Sequence, residues 1–319
     1  MTAARRFVLA LIAAAAIAAG CGGDAQTTSP PSATAPKGAQ AITVVRRQRL
    51  DARLEEWTLR TPALDDATGV RVLLPAGYRT APRRRYPVLY LLHGRGSDYR
   101  SWTRQGDAEA ITARAPMIVV MPDGGTAGWY TDWYEDKQAV QPRWETYHVG
   151  QLIPWVDATY RTVAARRGRA VAGLSMGGFG ALSYAVRHPG TFAAVSSYSG
   201  ALEIGSDEAW GPRSGNAARW RAHLPISNAA RLRSFALIEV RTGDGRPGPL
   251  DRRGTSPSCD ACTLERFLYG SNARFHRRLQ KLGIRHTWDD YGPGTHDWPY
   301  WQRGLRETLP ALQRAFAGN

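Results

Sequence analysis

A short sequence in the middle of the chain, Gly173-Leu174-Ser175-Met176-Gly177, contains the residue types needed for nucleophilic catalysis. The apolar residues before it predict a strand, and residues 178–186 after it predict a helix. A serine between a strand and a helix lies in a strained turn, and the flanking glycines let the backbone pass closely without a Cβ clash. We therefore predict that Ser175 is a nucleophile.

A serine hydroxyl is a poor nucleophile at neutral pH until a base accepts its proton. His296 lies in the loop Gly292-Pro293-Gly294-Thr295-His296, after the last predicted strand. A chain with the order serine, acid, histidine places its base there, so we predict that His296 is the base. Five other histidines fall on predicted helices, helix ends or a strand, where packing or surface roles are expected: His148, His188, His223, His276 and His286.

Two carboxylates are candidates for the residue that holds the imidazole in the required tautomer. Asp244 follows the predicted strand that ends at Val240, whereas Glu265 is near the start of a long predicted helix. Either carboxylate would also stabilise the imidazolium as it forms. Spacing alone does not choose between the two residues.

The loop after a buried apolar run, Val88–Leu92, turns sharply at His93-Gly94-Arg95-Gly96. We predict that the backbone N–H groups of Arg95 and Met176 together stabilise the negative oxygen of a tetrahedral intermediate. The alternative is that His93-Gly94 only makes a tight turn, in which His93 is structural, and in neither case is His93 taken as a base. Trp298, two residues after His296, is predicted to line the substrate site.

Short aliphatic runs alternate with longer segments of helical periodicity, which is typical of a mainly parallel central sheet flanked by helices. The predicted fold class is therefore α/β. The predicted strands are Val70–Leu74, Val88–Leu92, Met117–Met121, Ala170–Ala172, Ala193–Ser197, Phe235–Val240 and Thr287–Asp289. The predicted helices are Glu145–Tyr160, Gly178–Val186, Leu264–Leu282 and Trp301–Phe316.

The N-terminus is typical of an exported protein. Residues 1–20 have two arginines followed by an apolar run that is too short to span a bilayer, which predicts a signal peptide. The run ends Ala18-Ala19-Gly20-Cys21, which resembles the lipobox of bacterial lipoproteins, so Cys21 is predicted to be lipidated and membrane-anchored, with ordinary signal cleavage as the alternative. Residues 21–40 are poor in large apolar side chains and predict a disordered tether to a domain of residues 41–319.

The formal charge is +15, from 42 basic and 27 acidic residues, but the arginines are scattered and form no basic stripe. We therefore expect no nucleic-acid partner, and we expect a monomer. Cys259 and Cys262 are predicted to form a short disulfide loop, with free thiols or a redox pair as alternatives. A zinc site needs further ligands at suitable spacing. No metal or organic cofactor is expected, since the three catalytic side chains and the backbone donors suffice for the predicted reaction.

Blocks of aromatic residues add a family resemblance that covers about Val88 to Leu312. The blocks are Met121-Pro122-Asp123-Gly124-Gly125, Tyr130-Thr131-Asp132-Trp133-Tyr134, Trp144-Glu145-Thr146, Trp210-Gly211-Pro212 and Gly294-Thr295-His296-Asp297-Trp298-Pro299-Tyr300-Trp301. With the serine turn, they resemble the esterase family that includes esterase D and the secreted mycolyltransferases. The resemblance implies the α/β-hydrolase fold, oxyanion donors at Arg95 and Met176, and Glu265 rather than Asp244 as the acid, because Glu265 precedes a Ser-Asn-x-x-Phe segment.

The chain departs from the mycolyltransferase pattern at His93 and Gly96, where those enzymes have the Asp and Arg that help hold a sugar. The resemblance therefore implies acyl-enzyme chemistry but not trehalose recognition. The predicted function is hydrolysis of a small-molecule or lipid carboxylic ester, by an enzyme at the cell envelope or secreted. Acyl transfer to a sugar or another alcohol is the alternative, and a non-catalytic envelope-binding protein is a third hypothesis.

Overall fold

The central strands of the chain assemble into one sheet. The computed structural model describes residues 38–134 and 141–318. Within them the strands are β1 (Thr43–Arg49), β2 (Leu54–Arg60), β3 (Thr68–Leu73), β4 (Val88–Leu92), β5 (Ile118–Pro122), β6 (Arg169–Leu174), β7 (Ala194–Tyr198), β8 (Leu237–Thr242) and β9 (Thr287–Asp290). They are hydrogen-bonded in the order β1-β2-β3-β5-β4-β6-β7-β8-β9.

The strand directions put several chain turns at one edge of this sheet. Pairing is antiparallel from β1 to β5, through β2 and β3, and parallel from β5 through β4 to β9. Leu92 of β4 is paired with Gly173 of β6, and Leu174 of β6 with Tyr198 of β7. The residues that follow β4, β6, β7 and β8 therefore lie next to one another. The prediction of a mainly parallel sheet is confirmed.

Helices connect and flank these strands. The α-helices of the described residues are α1 (Ser101–Arg104), α2 (Ala108–Ile111), α3 (Ile153–Thr159), α4 (Met176–Arg187), α5 (Asp207–Trp210), α6 (Ala217–His223), α7 (Pro225–Asn228), α8 (Asp260–Lys281) and α9 (Trp298–Ala317). The described residues also form short 3₁₀ helices at Ala39–Ala41, Arg166–Gly168 and Ala229–Ser234, and a π-helix, Thr146–Leu152, leads into α3. Among the described residues, no helix is both long and apolar enough to cross a membrane.

The sheet separates two apolar clusters, as alternation along β4 shows. Val88, Tyr90 and Leu92 belong to one cluster, whereas Leu89 and Leu91 belong to the other. Adjacent side chains of a strand point to opposite faces, so β4 is buried on both sides. Helix α4 packs in the first cluster through Phe179, Leu182 and Val186, and α9 packs in the second through Trp301, Leu305 and Leu309.

The structure differs from the sequence predictions at its edges. Strands β1 and β2 were not predicted: every residue of the outermost strand, β1, is exposed, and its sequence lacks the apolar runs that identify the central strands. The predicted helix Glu145–Tyr160 is a π-helix followed by α3, a distinction that apolar spacing does not make. The predicted leader and the tether up to residue 37 lie outside the described residues, and the domain boundaries stay a prediction.

Candidate active site

Ser175 lies in the turn between β6 and α4. Its backbone has φ +53° and ψ −118°, a strained conformation for a residue with a side chain. The flanking glycines are needed because a Cβ on Gly173 would lie 2.4 Å from the carbonyl oxygen of Gly177, and a Cβ on Gly177 would lie 2.5 Å from the carbonyl oxygen of Leu92. The tight packing of α4 against β4 and β6 thus holds Ser175 in this turn.

His296 lies in the loop between β9 and α9. Its backbone N–H donates to the carbonyl oxygen of Ala261 at 3.1 Å. Its Nδ1 is 2.7 Å from Oε2 of Glu265, and its ring contacts Trp301 edge to face at a centroid distance of 4.9 Å. A carboxylate only accepts hydrogen bonds, so Nδ1 carries the proton and Nε2 is left as an acceptor. This is the tautomer that a general base requires.

Glu265, on the buried face of α8, has no exposed surface. Its Oε1 accepts hydrogen bonds from Ser199 Oγ at 2.7 Å, Thr242 Oγ1 at 2.9 Å and Gly243 N–H at 2.8 Å. With Nδ1 of His296 on Oε2, the carboxylate has four donors, which compensate for its lost hydration. The residues after β7 and β8 thus fix this carboxylate from one side and leave its other oxygen for the imidazole.

Asp244, the other candidate acid, is held by a different partner. Its Oδ2 lies 2.7 Å from Nε of Arg246, and its Oδ1 accepts the backbone N–H of the same residue at 2.8 Å. Burial raises the pKa of Asp244, but the hydrogen bonds and the charge of Arg246 lower it by more, so the pKa lies below its usual value. The carboxylate that the structure brings to His296 is that of Glu265.

The turn after β4 is fixed by hydrogen bonds around His93. Nε2 of His93 accepts the backbone N–H of Gly124 at 2.8 Å, and Nδ1 donates to the carbonyl oxygen of Gly94 at 2.9 Å. Tyr130 Oη donates to the carbonyl oxygen of His93 at 2.8 Å. Both ring nitrogens are therefore used within the protein, which agrees with a structural role for this histidine.

The backbone N–H group of Arg95 lies on this turn, and that of Met176 lies at the first residue of α4. Within residues 38–134 and 141–318, neither group donates a hydrogen bond to another protein group. The N-terminus of an α-helix also carries a partial positive charge. Two unpaired donors next to Ser175 are suited to bind a negatively charged oxygen.

One cavity of about 1030 Å³ contains most of the predicted site. Ser175, His296, Arg95, Met176 and Trp298 all line it. Apolar side chains form much of the remaining wall: Trp129, Leu174, Ala201, Ile204, Leu264, Leu268 and Trp301. Such a volume is at the upper end for small-molecule sites. The cavity therefore has room for a bulky or extended apolar group beside the serine.

Trp298 begins α9 and lies at the junction of three indole rings. Its ring packs edge to face on Trp102, with a centroid distance of 5.4 Å, and on Trp301, with a centroid distance of 5.2 Å. Asp297 caps the helix by accepting the N–H of Trp298 at 2.7 Å. The indole of Trp298 is thus held in place at the cavity wall.

Sequence reasoning missed the residues that hold Glu265. Ser199 has φ +48° and follows β7 directly, Thr242 is the last residue of β8, and Gly243 comes next. Their positions at the carboxyl ends of parallel strands were an available signal, because ligand and catalytic groups gather at that edge of open α/β sheets. Their contact with a helix residue over twenty positions away was not readable from local patterns.

Two of the three cysteines lie among the described residues. Cys259 and Cys262 form a disulfide at the start of α8. Cys21, predicted to carry a lipid, lies outside the described residues. Among the residues that are described, no group of three or more His, Cys, Asp or Glu side chains is arranged to hold a metal ion.

His148 connects the π-helix to the loop that holds His93. Its Nε2 donates to the carbonyl oxygen of Asp123 at 2.7 Å, and in the neutral ring Nδ1 accepts from Tyr184 Oη at 2.8 Å. This pattern requires a neutral imidazole. Burial lowers the pKa of His148 to about 4, while the hydrogen bond to Asp123 raises it in part.

We expect His148 to make stability depend on pH. The unfolded chain protonates this residue below a pKa of about 6.5, whereas the folded chain does not until about pH 4. The stability that the neutral His148 contributes is fully present above pH 6.5 and is lost as the pH falls towards 4. At pH 4.5 the loss of unfolding free energy is on the order of 2 kcal/mol. Urea unfolding of wild type and His148→Gln at pH 7.5 and 4.5 measures it. The variant should lose less stability on acidification, and equal losses would contradict the prediction.

The chain is similar to several known proteins. The model of a family described as "Putative esterase" matches residues 61–312. Esterase Rv1288 of Mycobacterium tuberculosis is 38% identical over 282 residues, which cover 80% of this chain and 58% of that protein. The chain thus spans less than two thirds of that relative's length.

Two further similarities concern an acyltransferase and a solved structure. The diacylglycerol acyltransferase/mycolyltransferase Ag85A of Mycobacterium tuberculosis is 31% identical over 256 residues, covering 72% of this chain and 73% of that protein. A ferulic acid esterase structure superposes with a TM-score of 0.64 at 28% identity, covering 82% of this chain and 98% of that one. With the mixed sheet and flanking helices, these similarities show an α/β-hydrolase fold.

Proposed function

Because the chain belongs to the "Putative esterase" family, whose members act on esters, we propose that it hydrolyses carboxylic esters through a covalent acyl-enzyme on Ser175. The observation that carries this proposal is the 2.7 Å hydrogen bond between Nδ1 of His296 and Oε2 of Glu265. It selects the imidazole tautomer that accepts a serine proton, in a residue that lines the same cavity as Ser175.

In the proposed mechanism, Nε2 of His296 accepts the proton of Ser175 Oγ as this oxygen attacks the ester carbonyl carbon. The carbonyl oxygen becomes an oxyanion, which the N–H groups of Arg95 and Met176 stabilise. Glu265 stabilises the imidazolium, which then gives its proton to the leaving alcohol. A water molecule, deprotonated by the same imidazole, then attacks the acyl carbon. The bond between this carbon and Ser175 Oγ breaks, the imidazolium returns its proton to Oγ, and the acid is released.

The donors to the oxyanion need no rearrangement during the reaction. Met176 is the first residue of α4, and Arg95 is in the turn that His93, Gly124 and Tyr130 fix. Donors already aimed at the place where charge develops contribute most to catalysis, typically a factor of about 10²–10³ each. The hydrogen bonds of His93 therefore support the proposed oxyanion site without any contact to the substrate.

Acyl transfer to an alcohol is the second candidate, which is supported by the similarity of the chain to an acyltransferase. It uses the same residues, since an alcohol replaces water in the second step. His93 and Gly96 stand where mycolyltransferases resembling this chain have the sugar-binding Asp and Arg, which supports hydrolysis as the first candidate.

Product analysis distinguishes the two reactions. The enzyme is incubated with p-nitrophenyl esters and with glucose or glycerol at about 50 mM, a modest concentration beside water at about 55 M. We expect mainly free acid, because His93 and Gly96 replace the sugar-binding Asp and Arg. Mass spectrometry of the products measures the ratio of acid to new ester. A series from acetyl to about C16 acyl groups shows which chain length the apolar cavity favours. New ester in excess of free acid would identify the protein as an acyltransferase.

We also propose that the protein is exported through residues 1–20, with Cys21 lipidated or with ordinary cleavage near it. The disulfide between Cys259 and Cys262 supports an oxidising compartment. The N-terminal mass of the protein recovered from the cell envelope tests this proposal. An uncleaved Met1 in the mature protein would contradict it.

A further inference from the structure

The disulfide-closed turn at the start of α8 lies next to both residues that we propose as base and acid. Cys259 is the residue before the helix, and its Sγ accepts the N–H of Cys262 at 3.0 Å. The disulfide joins these two residues, whose Cα atoms are 5.0 Å apart. We call residues 259–262 the cystine turn.

The cystine turn anchors the main chain of the proposed base. The carbonyl oxygen of Ala261, between the two cysteines, accepts the N–H of His296 at 3.1 Å. The loop before His296 contains Gly292, Pro293 and Gly294, and glycines leave the backbone many accessible conformations. Gly292 and Gly294 accept the N–H groups of Asp244 and Gly245, and the bond to Ala261 restricts the end of the segment at His296 itself.

The same turn leads directly to the proposed acid. Cys262 and Glu265 are three residues apart on α8, so they lie on the same face of the helix, and both are fully buried. The side chain of Glu265 is fixed by the ends of β7 and β8, as described above. One end of α8 thus holds His296 twice, through its main chain at Ala261 and through its side chain at Glu265.

Apart from the disulfide, the start of α8 is restrained by the hydrogen bonds of Glu265 and by the close packing of Gly245 on the backbone of Cys262. Residues 243–258 before it contain turns and no helix or strand. The first turn of a helix lacks intrahelical partners for its N–H groups and opens more easily than the helix interior. The side chain of Arg266 donates to the carbonyl oxygens of Gly245 and Pro257 at 3.2 and 3.3 Å, which are long contacts. The disulfide is the covalent restraint at this point.

We infer that the Cys259–Cys262 disulfide is a positioning device for His296, and that its reduction slows turnover while the fold is retained. The inference rests on the proposed function. Residues 259–262 are not among the described residues that line the cavity, so substrate binding should change little. The disulfide closes a loop of only three residues in separation, and short loops contribute least to global stability through chain entropy.

The reduction has a defined chemical course with a dithiol reductant. Cys262 is buried and Cys259 is partly exposed, so a reductant thiolate attacks Sγ of Cys259. The Cys259–Cys262 bond breaks, and the sulfur of Cys262 leaves as a thiolate and takes up a proton. The second thiolate of the reductant then attacks the mixed disulfide and releases Cys259 as a thiol. The reductant is oxidised to its own disulfide, and two electrons and two protons enter the protein.

Steady-state kinetics of the full chain test the inference. Oxidised enzyme, enzyme reduced with dithiothreitol, and the variants Cys259→Ser and Cys262→Ser are assayed with one p-nitrophenyl ester. We expect kcat to fall by about ten- to a hundredfold in all three disulfide-free forms and KM to stay within about twofold, since displacements near 1 Å cost about that much. Reoxidation should restore the kcat of the oxidised wild-type enzyme, and dithiothreitol should not lower the kcat of the two variants further.

Two controls separate positioning from other effects. Ser258→Ala removes an exposed hydroxyl beside the cystine turn and should leave kcat and its sensitivity to dithiothreitol unchanged. Circular dichroism shows whether the reduced enzyme stays folded. Reduced enzyme with kcat within twofold of the oxidised form, a large change in KM instead of kcat, or unfolding on reduction would each overturn the positioning role.

A different result marks failure of the proposed function. If oxidised wild type neither hydrolyses any ester of the series nor reacts with a fluorophosphonate, both proposals are wrong. An oxidised enzyme that is active but insensitive to dithiothreitol overturns only the positioning role of the disulfide.

Discussion

The variant Ser175→Ala should lose ester hydrolysis by a factor on the order of 10⁵ in kcat, because no other group in the proposed mechanism forms the acyl-enzyme. The residual rate would come from the oxyanion donors at Arg95 and Met176 and from substrate binding, which the substitution leaves in place. Alanine adds no atoms to the turn between β6 and α4, so the fold should be retained. Hydrolysis of p-nitrophenyl esters at saturating substrate measures the loss.

Ser183→Ala is the matched control for this variant. Ser183 is a buried serine on α4 whose hydroxyl has no hydrogen-bond partner among the described residues. Its removal should change kcat by less than about twofold, since no interaction is lost. Activity of Ser175→Ala above a tenth of wild type, with purity established by mass spectrometry, would show that another residue is the nucleophile.

The variant Glu265→Gln should lower kcat by about 10⁴, even though glutamine has nearly the same shape. Ser199, Thr242 and Gly243 all donate to one oxygen of residue 265, so the amide oxygen of the glutamine must take that place. The amide nitrogen then faces Nδ1 of His296 and donates to it. The imidazole is forced into the tautomer with a proton on Nε2, which cannot accept the proton of Ser175.

Asp244→Asn tests the other carboxylate by the same assay. Asp244 pairs with Arg246, so its replacement should change kcat by less than about threefold. A thermal melt of each variant shows that both remain folded. A large loss in Asp244→Asn with a small one in Glu265→Gln would exchange the two roles and remove the basis for the proposed triad.

The serine and the histidine could be proposed as candidates from the sequence because each has a local signature. Ser175 lies between a recognisable strand and helix, and His296 lies in a glycine-rich loop after the last strand. The acid has no such signature, since Glu265 reaches His296 only through the packing of α8 against the ends of β7 and β8. From residues alone Asp244 and Glu265 stayed open, and the family resemblance favoured Glu265. The three-residue spacing of Cys262, Glu265 and Leu268, which puts the glutamate on an apolar face of α8, was a further signal that the sequence offered.

The fold was predictable where burial on both faces leaves continuous apolar runs. The strands β4, β5, β6, β7 and β8 were predicted to within a few residues for this reason. The antiparallel edge was not predicted, because β1 is exposed along its length and is stabilised by pairing with β2 rather than by burial. Its arginine-rich sequence resembles that of a loop, so tertiary pairing decides its structure.

Fluorophosphonate labelling followed by peptide mass mapping tests the activated serine most directly. The reagent reacts with a serine only when a base removes its proton and donors stabilise the oxygen at phosphorus. Folded wild type should carry a single adduct, on the peptide that contains Ser175, and the denatured protein should carry none. No adduct on the folded protein, or an adduct on a different serine, would contradict the account.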